Sequence, residues 1–287
     1  MVLDEEAMKL VLQRDFTHLS RERSSFMTTE EIIIQIFCAV DDEMSAMPKH
    51  PQACLYPSEL VTIGLLFALK GGHFRAFYRW LSRDYAPLFA GLPERTRLQR
   101  LLQTHQDWCC RLLAAPTFFT VIDSYPIELL FPIRAGRSQK QIGKKGKDKG
   151  RWSVGIKLCW ILNNRGQVVD WDWATMNVHD QHFHPLIQGF TGQTSVLADL
   201  GFRSAHGVPE NCKLCPKGTW NERMVVETAL SLVTVICDLK HMHHRAAQYV
   251  QARLAGVVAM FNVLLALFHR LHPEADPYQL SIAEFSL

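Results

Sequence analysis

The sequence predicts an α/β fold, in which a mixed sheet with flanking helices follows a helical N-terminal domain. Three observations support this prediction. Helical patterns fill residues 1–115, short β-branched and aromatic runs follow from Pro116, and a helical pattern returns after Asn221. The change near Pro116 predicts two domains, 1–115 and 116–287, in a chain of 287 residues.

The composition is that of an ordinary globular protein. Hydrophobic residues make up 48% and charged residues 21%, which excludes disorder for most of the chain. The longest apolar run, Leu254–Phe268, is shorter than the about 20 residues of a membrane span, so we expect a buried helix and no membrane partner. No secretory signal is visible and the cysteines form no framework, so we expect a reduced, cytoplasmic protein.

Two helix starts are visible in the N-terminal domain. Thr28 precedes two glutamates and the apolar run Ile32–Phe37, and Ser58 precedes Glu59 and a run that Gly71 ends. A hydroxyl residue followed by acids is typical of a helix N-terminus, and glycine is typical of a helix end. We therefore expect helices that begin near residues 28 and 58.

A β-hairpin is predicted in the second domain. Residues 152–162 and 167–174 flank Asn163-Asn-Arg-Gly166, a four-residue turn with glycine. A long helix is predicted to end near Leu271. Four tryptophans of the hairpin are predicted to lie in the core, namely Trp152, Trp160, Trp171 and Trp173.

Two aspartates follow short apolar strands. The runs 118–123 and 194–199 end in Asp123 and Asp199. Ligand sites collect at the strand ends of such sheets, because side chains there leave the packed layer. A carboxylate at that place is a poor core residue and a good metal ligand, although Asp is also common in turns after strands. We predict Asp123 and Asp199 as site residues, with strand-end caps as the alternative.

A third acid comes from the helical pattern around residue 227. At about 100° per residue, the valines, leucines and isoleucine of 225–236 share one face. Glu227 falls on the opposite face with Arg223 and Thr234, whereas Glu222 falls within the apolar arc. Glu227 is therefore the better candidate, and a solvated helix face with an Arg223–Glu227 surface pair is the alternative.

The charge is concentrated in one segment. Residues 134–151 carry +7 and the rest of the chain sums to −4, within a net charge of +3. The glycines between these charges predict a mobile loop that binds DNA phosphates without reading sequence. The basic residues predicted to bind DNA are Arg134, Arg137, Lys140, Lys144, Lys145, Lys147, Lys149 and Arg151, with Arg223 beside the acids.

Three motifs resemble those of insertion-sequence transposases that have an Asp-Asp-Glu triad on an RNase H-like fold. They are Val121-Ile-Asp123-Ser, Leu197-Ala-Asp199-Leu-Gly-Phe and Arg223-Met-Val-Val-Glu227-Thr, and the resemblance includes Gly155-Ile-Lys157-Leu and Asn177-Val-His-Asp180. Members often carry Tyr-x2-Arg-x3-Glu-x6-Lys around the final acid. This chain has Trp220 in place of the tyrosine and Thr234 in place of the lysine.

The resemblance implies an RNase H-like mixed sheet in 116–287 and a DNA transposase that cleaves element ends and catalyses strand transfer. Asp123, Asp199 and Glu227 would bind two Mg²⁺ ions, for which Mn²⁺ substitutes, with Asp123 bridging both. Residues 1–115 would bind DNA ends or form oligomers. The partners implied are element ends, target DNA and further copies of the chain, on the cytoplasmic nucleoid. An RNase H-like nuclease without strand transfer and an inactive DNA-binding remnant are the alternatives.

Overall fold

The structure is a computed structural model. It describes residues 27–148, 150–216, 223–239, 242, 246–275, 283–285 and 287. Three residues of the sequence predictions lie outside the described residues, namely Lys149, Trp220 and Glu222. For Arg223 only the backbone is described.

The described chain is a mixed α/β protein. Its helices are α1 (Thr29–Met44), α2 (Pro57–Lys70), α3 (Phe74–Asp84), α4 (Arg95–Thr104), α5 (His184–Gln188), α6 (Arg223–Ile236) and α7 (Ala247–Leu271). Short 3-10 helices lie at Ala86–Leu88, Gln106–Leu112, Pro132–Arg134, Asp180–Phe183, Leu200–Phe202 and Ala283–Phe285. The strands are β1 (Phe119–Leu130), β2 (Lys144–Asp148), β3 (Arg151–Asn163), β4 (Val168–Thr175), β5 (Ser195–Ala198) and β6 (Cys212–Leu214).

The two predicted helix starts have different outcomes. Thr28 caps α1 as predicted, because its hydroxyl accepts the Glu31 N–H at 3.2 Å and its own N–H donates to the Glu31 carboxylate at 2.7 Å. Helix α2 begins at Pro57, and Ser58 is buried in its first turn. Glu59 binds the Tyr56 N–H at 2.6 Å, so the carboxylate closes this terminus and no serine cap is needed.

One sheet joins all six strands. Strands β1 and β3 are antiparallel, and both β2 and β4 pair antiparallel with β3 along its other edge. Strand β5 lies parallel to β1, and β6 lies parallel to β5. The order β4-β3-β1-β5-β6 therefore has an antiparallel half and a parallel half, which confirms the mixed sheet.

The predicted hairpin is confirmed, and the predicted basic loop is partly wrong. Strands β3 and β4 meet at the Asn163–Gly166 turn, where Gly166 has φ of 78° and Asn163 donates its N–H to Gln167 O at 2.9 Å. Five residues of the basic segment form β2 instead of a loop, and Arg151 begins β3. The glycines and lysines of this segment disfavour a packed core, but they do not prevent the backbone from pairing with the exposed edge of β3.

The sheet separates two apolar clusters. On what we call the first face, Val121, Leu158 and Trp160 pack with the helices, including α1, α2, α6 and α7. On the second face, Ile122 and Cys159 pack with residues that include Phe183, Ile187 and Phe202. Alternation along β1 thus assigns odd-numbered residues around 121 to the first face.

Helix α7 is the central helix of the first face. It is long and apolar enough to span a membrane. However, 78% of its most apolar 18-residue stretch is buried inside the protein, as the sequence predicts for residues 254–268. Its Asn262 accepts the Val168 N–H at 2.8 Å and donates to Leu112 O at 3.0 Å and Val168 O at 2.8 Å. One buried amide thus ties α7 to the hairpin and to the helical region before residue 116.

Candidate active site where the β1–β5 ladder ends

Register brings the two predicted aspartates to one level. Strands β1 and β5 pair in parallel, with Val121 opposite Leu197. Asp123 and Asp199 each follow two residues later on neighbouring chains. Because parallel neighbours advance by the same rise per residue, the two carboxylates leave the sheet side by side.

The expectation that Asp123 ends its strand is wrong. Strand β1 continues to Leu130, and Asp123 lies in its middle, opposite Trp160 of β3. The parallel neighbour β5 stops at Ala198, so beyond this level β1 is paired with β3 alone. Asp123 therefore lies where the β1–β5 ladder ends, which opens room beside it as a strand end would.

Backbone hydrogen bonds orient both carboxylates. Asp123 Oδ1 accepts the Ser124 N–H at 2.7 Å, and Asp199 Oδ1 accepts the Gly201 N–H at 2.8 Å. Asp199 also caps the 3-10 turn Leu200–Phe202. Both side chains are partly buried. The strand-end capping that the sequence offered as an alternative for Asp199 is therefore present, together with its place beside Asp123.

The two aspartates belong to the first face of the sheet. Asp123 is two residues after Val121, and Asp199 is two residues after Leu197, which also packs against the first-face cluster. Asp199 has extended backbone angles, φ of −77° and ψ of 173°, so the alternation continues through it. Helix α6 covers this same face and packs against β1.

Glu227 lies on α6 with its side chain exposed, next to the buried Val226. The predicted outward orientation of Glu227 is therefore confirmed, and the alternative, a solvated helix face, predicts the same exposure. In the described ranges, no three His, Cys, Asp or Glu side chains stand close enough together to hold a metal ion. The register therefore places the two aspartates side by side, while Glu227 lies on the exposed side of α6, apart from them.

The helix pattern is wrong at Thr234. Predicted to share the outer face with Glu227, Thr234 is only 9% exposed, and its hydroxyl has no hydrogen-bond partner, while Val235 is 58% exposed. The last turn of α6 therefore turns position 234 toward the core. A lysine at that position, as in the resembling family, would carry its charge into an apolar environment at high cost.

The donor set fits a hard divalent cation. Asp123, Asp199 and Glu227 all offer carboxylate oxygens, the ligands that Mg²⁺ prefers. Mg²⁺ keeps several waters and takes phosphate oxygens from a substrate, so it needs few protein carboxylates. Asp123 and Asp199 offer two such ligands, whereas Glu227, exposed on α6, does not stand close enough to complete a three-carboxylate site within the described residues.

The basic residues lie on the surface beyond the aspartates. All the described ones are exposed, namely Arg134, Arg137, Lys140, Lys144, Lys145, Lys147 and Arg151. Strand β2 and the start of β3 form a basic hairpin, which we define as residues 144–155. It pairs with β1 near Glu128, five residues past Asp123 and about 17 Å along an extended strand.

Trp152 on the basic hairpin contradicts the prediction of a core residue. Its side chain is 52% exposed, and the Lys145 ammonium lies 5.0 Å from the centre of its ring. The other three tryptophans are buried or partly buried against the first-face cluster, as predicted. An exposed aromatic ring among four exposed cations is the combination that single-stranded nucleic acids stack on.

A fourth acid, which the sequence analysis did not assign to the site, lies beside the two aspartates. Asp180 Oδ1 accepts the Ser124 hydroxyl at 2.6 Å and the Lys157 ammonium at 2.9 Å. Burial raises the pKa of the Cys159 thiol well above its usual value, and the charges of Asp180 and Asp123 raise it further. The motifs around Lys157 and Asp180 were visible in the sequence, but their contact with each other was not.

No protein-family model matches this chain, and no curated protein sequence matches it at a significant level.

Proposed function

We propose that this protein is a DNA transposase of the Asp-Asp-Glu class with an RNase H-like catalytic fold. The observation that carries the proposal is the register of β1 and β5, which sets Asp123 beside Asp199 on the face that α6 covers. Glu227 on that helix completes the acids that the resemblance names. Two adjacent carboxylates on rigid strands are what divalent-ion phosphodiester chemistry requires.

The sheet supports the RNase H-like part of the proposal. A long first strand, β1, is followed by two antiparallel strands on one side, and two parallel strands extend the sheet on the other. Helices cover both faces. The short β2 is an addition along the edge of β3. This arrangement is the one expected of an RNase H-like domain, with the acids on the central strand and its parallel neighbour.

The residues have separate tasks in this mechanism. Asp123 and Asp199 accept the Ser124 and Gly201 N–H groups, which hold both carboxylates at the end of the β1–β5 ladder. We assign the role of third ligand to Glu227, which lies exposed on α6. Bound Mg²⁺ would supply the activation of the attacking oxygen and the stabilisation of the leaving oxygen. The same acids then serve both water attack in cleavage and 3′-hydroxyl attack in strand transfer.

The basic hairpin supports DNA as the substrate. Its exposed cations lie next to the catalytic strand and face solvent, and exposed cations of this kind bind phosphates and release counterions. Sequence-blind contacts suit both the element end and the target. Joining two ends needs at least two copies of the chain, so we propose a homo-oligomer on DNA in the nucleoid, with residues 1–115 for end binding or oligomerisation.

Strand transfer tests the proposal directly. Pre-cleaved element-end DNA, supercoiled plasmid and Mg²⁺ are incubated with the protein, and joined products are measured with and without EDTA. Joined products that need Mg²⁺ and disappear in Asp123→Asn, Asp199→Asn and Glu227→Gln proteins, each shown to be folded, are expected. Plasmid cleavage without joining would instead assign a nuclease. DNA binding with neither reaction would assign an inactive remnant.

A further inference from the structure

The contacts of Asp180 converge on both aspartates of the candidate site. Asp180 accepts the hydroxyl of Ser124, the residue whose N–H orients Asp123. On its other side, a Cβ atom built on Gly201 would lie 2.8 Å from Asp180 Oδ2 and 2.9 Å from Asp199 Oδ1. The two carboxylates therefore flank the space that any side chain at position 201 would fill. Asp180 thus hydrogen-bonds the residue that orients Asp123 and borders the turn that orients Asp199.

Asp180 approaches the site from the second face of the sheet. Ser124 lies opposite Cys159 in the register, and Lys157 is two residues from Cys159, so both belong to the second face. Asp123 leaves on the first face. Asp180 begins the 3-10 turn after β4 and reaches the β1–β5 edge from the side opposite the proposed metal ligands. It therefore supports the acids without competing for their outer oxygens.

This ion pair is placed where stability alone gives little reason for it. The Lys157 and Asp180 side chains are 16% and 23% exposed, and Lys157 also donates to Val178 O at 3.0 Å. A partly buried ion pair gains little net stability over apolar packing, and a carboxylate beside another carboxylate is unfavourable. The ion pair is explained if the charge and the fixed hydrogen bond of Asp180 support cation binding at the neighbouring aspartates.

We infer that Asp180, held by Lys157, is a positioning residue that fixes Asp123 and Asp199 for divalent-cation binding. The inference rests on the proposed function. Asp180 sets the Asp123–Ser124 peptide through the serine hydroxyl, and it limits the Asp199 turn across Gly201. Its charge also strengthens the attraction of the site for a divalent cation. It does not itself touch the DNA or the reacting phosphate.

The test compares Asp180→Asn with a matched control, Asp172→Asn. Asn keeps the shape of the side chain and accepts one hydrogen bond, but it removes the charge and the ion pair. Asp172 is an exposed acid of strand β4, whose charge also acts on Cys159, and it accepts the Trp173 N–H at 2.7 Å. The readouts are Mn²⁺ affinity by electron paramagnetic resonance on the protein–DNA complex, and DNA affinity in EDTA.

Loss of a support for metal ligands lowers metal affinity by about 10- to 100-fold. We expect such a loss for Asp180→Asn, unchanged DNA binding in EDTA, and wild-type affinity for Asp172→Asn. Ser124→Ala, which cuts only the link to β1, is expected to shift Mn²⁺ affinity in the same direction and serves if Asp180→Asn does not fold.

The outcomes separate this inference from the proposed function. Wild-type Mn²⁺ affinity in Asp180→Asn, with or without a lower unfolding temperature, would make the pair purely structural and overturn the inference, while metal-dependent cleavage by the parent would keep the transposase proposal. A parent protein that neither binds Mn²⁺ on DNA nor cleaves it would overturn both.

Discussion

Gly201 should be intolerant of even one added methyl group. Its φ lies outside the left-handed region, so alanine fits the backbone there and only space opposes it. The new Cβ would stand 2.8 and 2.9 Å from the Asp180 and Asp199 oxygens, whereas ordinary contacts begin at about 3.5 Å. Each carboxylate would therefore have to move away by about 0.6 Å while the hydrogen bonds that hold Asp180 and Asp199 stay intact.

Neither carboxylate is free to retreat. Asp180 is held by Ser124 and Lys157, and Asp199 by the N–H of Gly201 itself. Misplacing a catalytic group by about 1 Å costs about 100-fold in rate, so we expect a loss of about 10- to 100-fold in cleavage rate. Overpacking costs about 1–3 kcal/mol in stability, and the lower entropy of the unfolded alanine chain offsets about 0.4–1 kcal/mol of that.

Cleavage rate at saturating Mg²⁺ and the free energy of unfolding in urea are measured together for Gly201→Ala. Gly189→Ala is the matched control, because its Cβ would lie 3.5 Å from Leu186 O, an ordinary contact, on a helical backbone. We expect a control near the parent in both assays. A folded Gly201→Ala protein that cleaves at the parent rate would refute the claim that the space between these carboxylates matters.

Three further predictions concern the core, the hairpin and pH. Asn262→Leu leaves the Val168 N–H and Leu112 O without this amide at about 1–3 kcal/mol each, whereas Val168 O still accepts the Ala114 N–H. Urea denaturation should therefore show a loss of about 2–6 kcal/mol, against almost none for the exposed Gln251→Leu on the same helix. Trp152→Ala should weaken single-stranded DNA binding by about 1–3 kcal/mol in a fluorescence titration, whereas Phe118→Ala, exposed away from the basic hairpin, should not. Burial raises the pKa of Asp170 above its usual 3.8, so the folded state disfavours its charge. Asp170→Asn should therefore be more stable than the parent at pH 7 and equally stable below pH 3.8. A gain in stability that persists in acid would contradict this cause.

Local signals predicted the elements whose cause is local. The capping box at Thr28, the Asn163–Gly166 turn and the apolar run of α7 each depend on residues that are close in sequence. The acids Asp123 and Asp199 were found because each follows a short apolar run in the sequence. Their adjacency depends on which strands pair, and that is decided by the whole sheet.

The features that the sequence did not predict depend on tertiary contacts. Strand β2 has the composition of a loop and forms only because the edge of β3 is open to it. Trp152 alternates with core residues along β3, but it lies beyond the helices that cover the sheet. Asp180 meets Ser124 across 56 positions of sequence and Lys157 across 23, distances over which no spacing rule predicts contact.

Metal-dependent cleavage of DNA that carries the element's own flanking ends is the decisive test of Asp123 and Asp199 as metal ligands. The parent protein, Asp123→Asn and the control Asp172→Asn are compared in Mg²⁺, Mn²⁺ and EDTA. We expect 3′-hydroxyl ends from the parent and from Asp172→Asn in either metal, none in EDTA, and none from folded Asp123→Asn. Equal cleavage by Asp123→Asn, or tight DNA binding by the parent with no cut in either metal, would contradict this assignment.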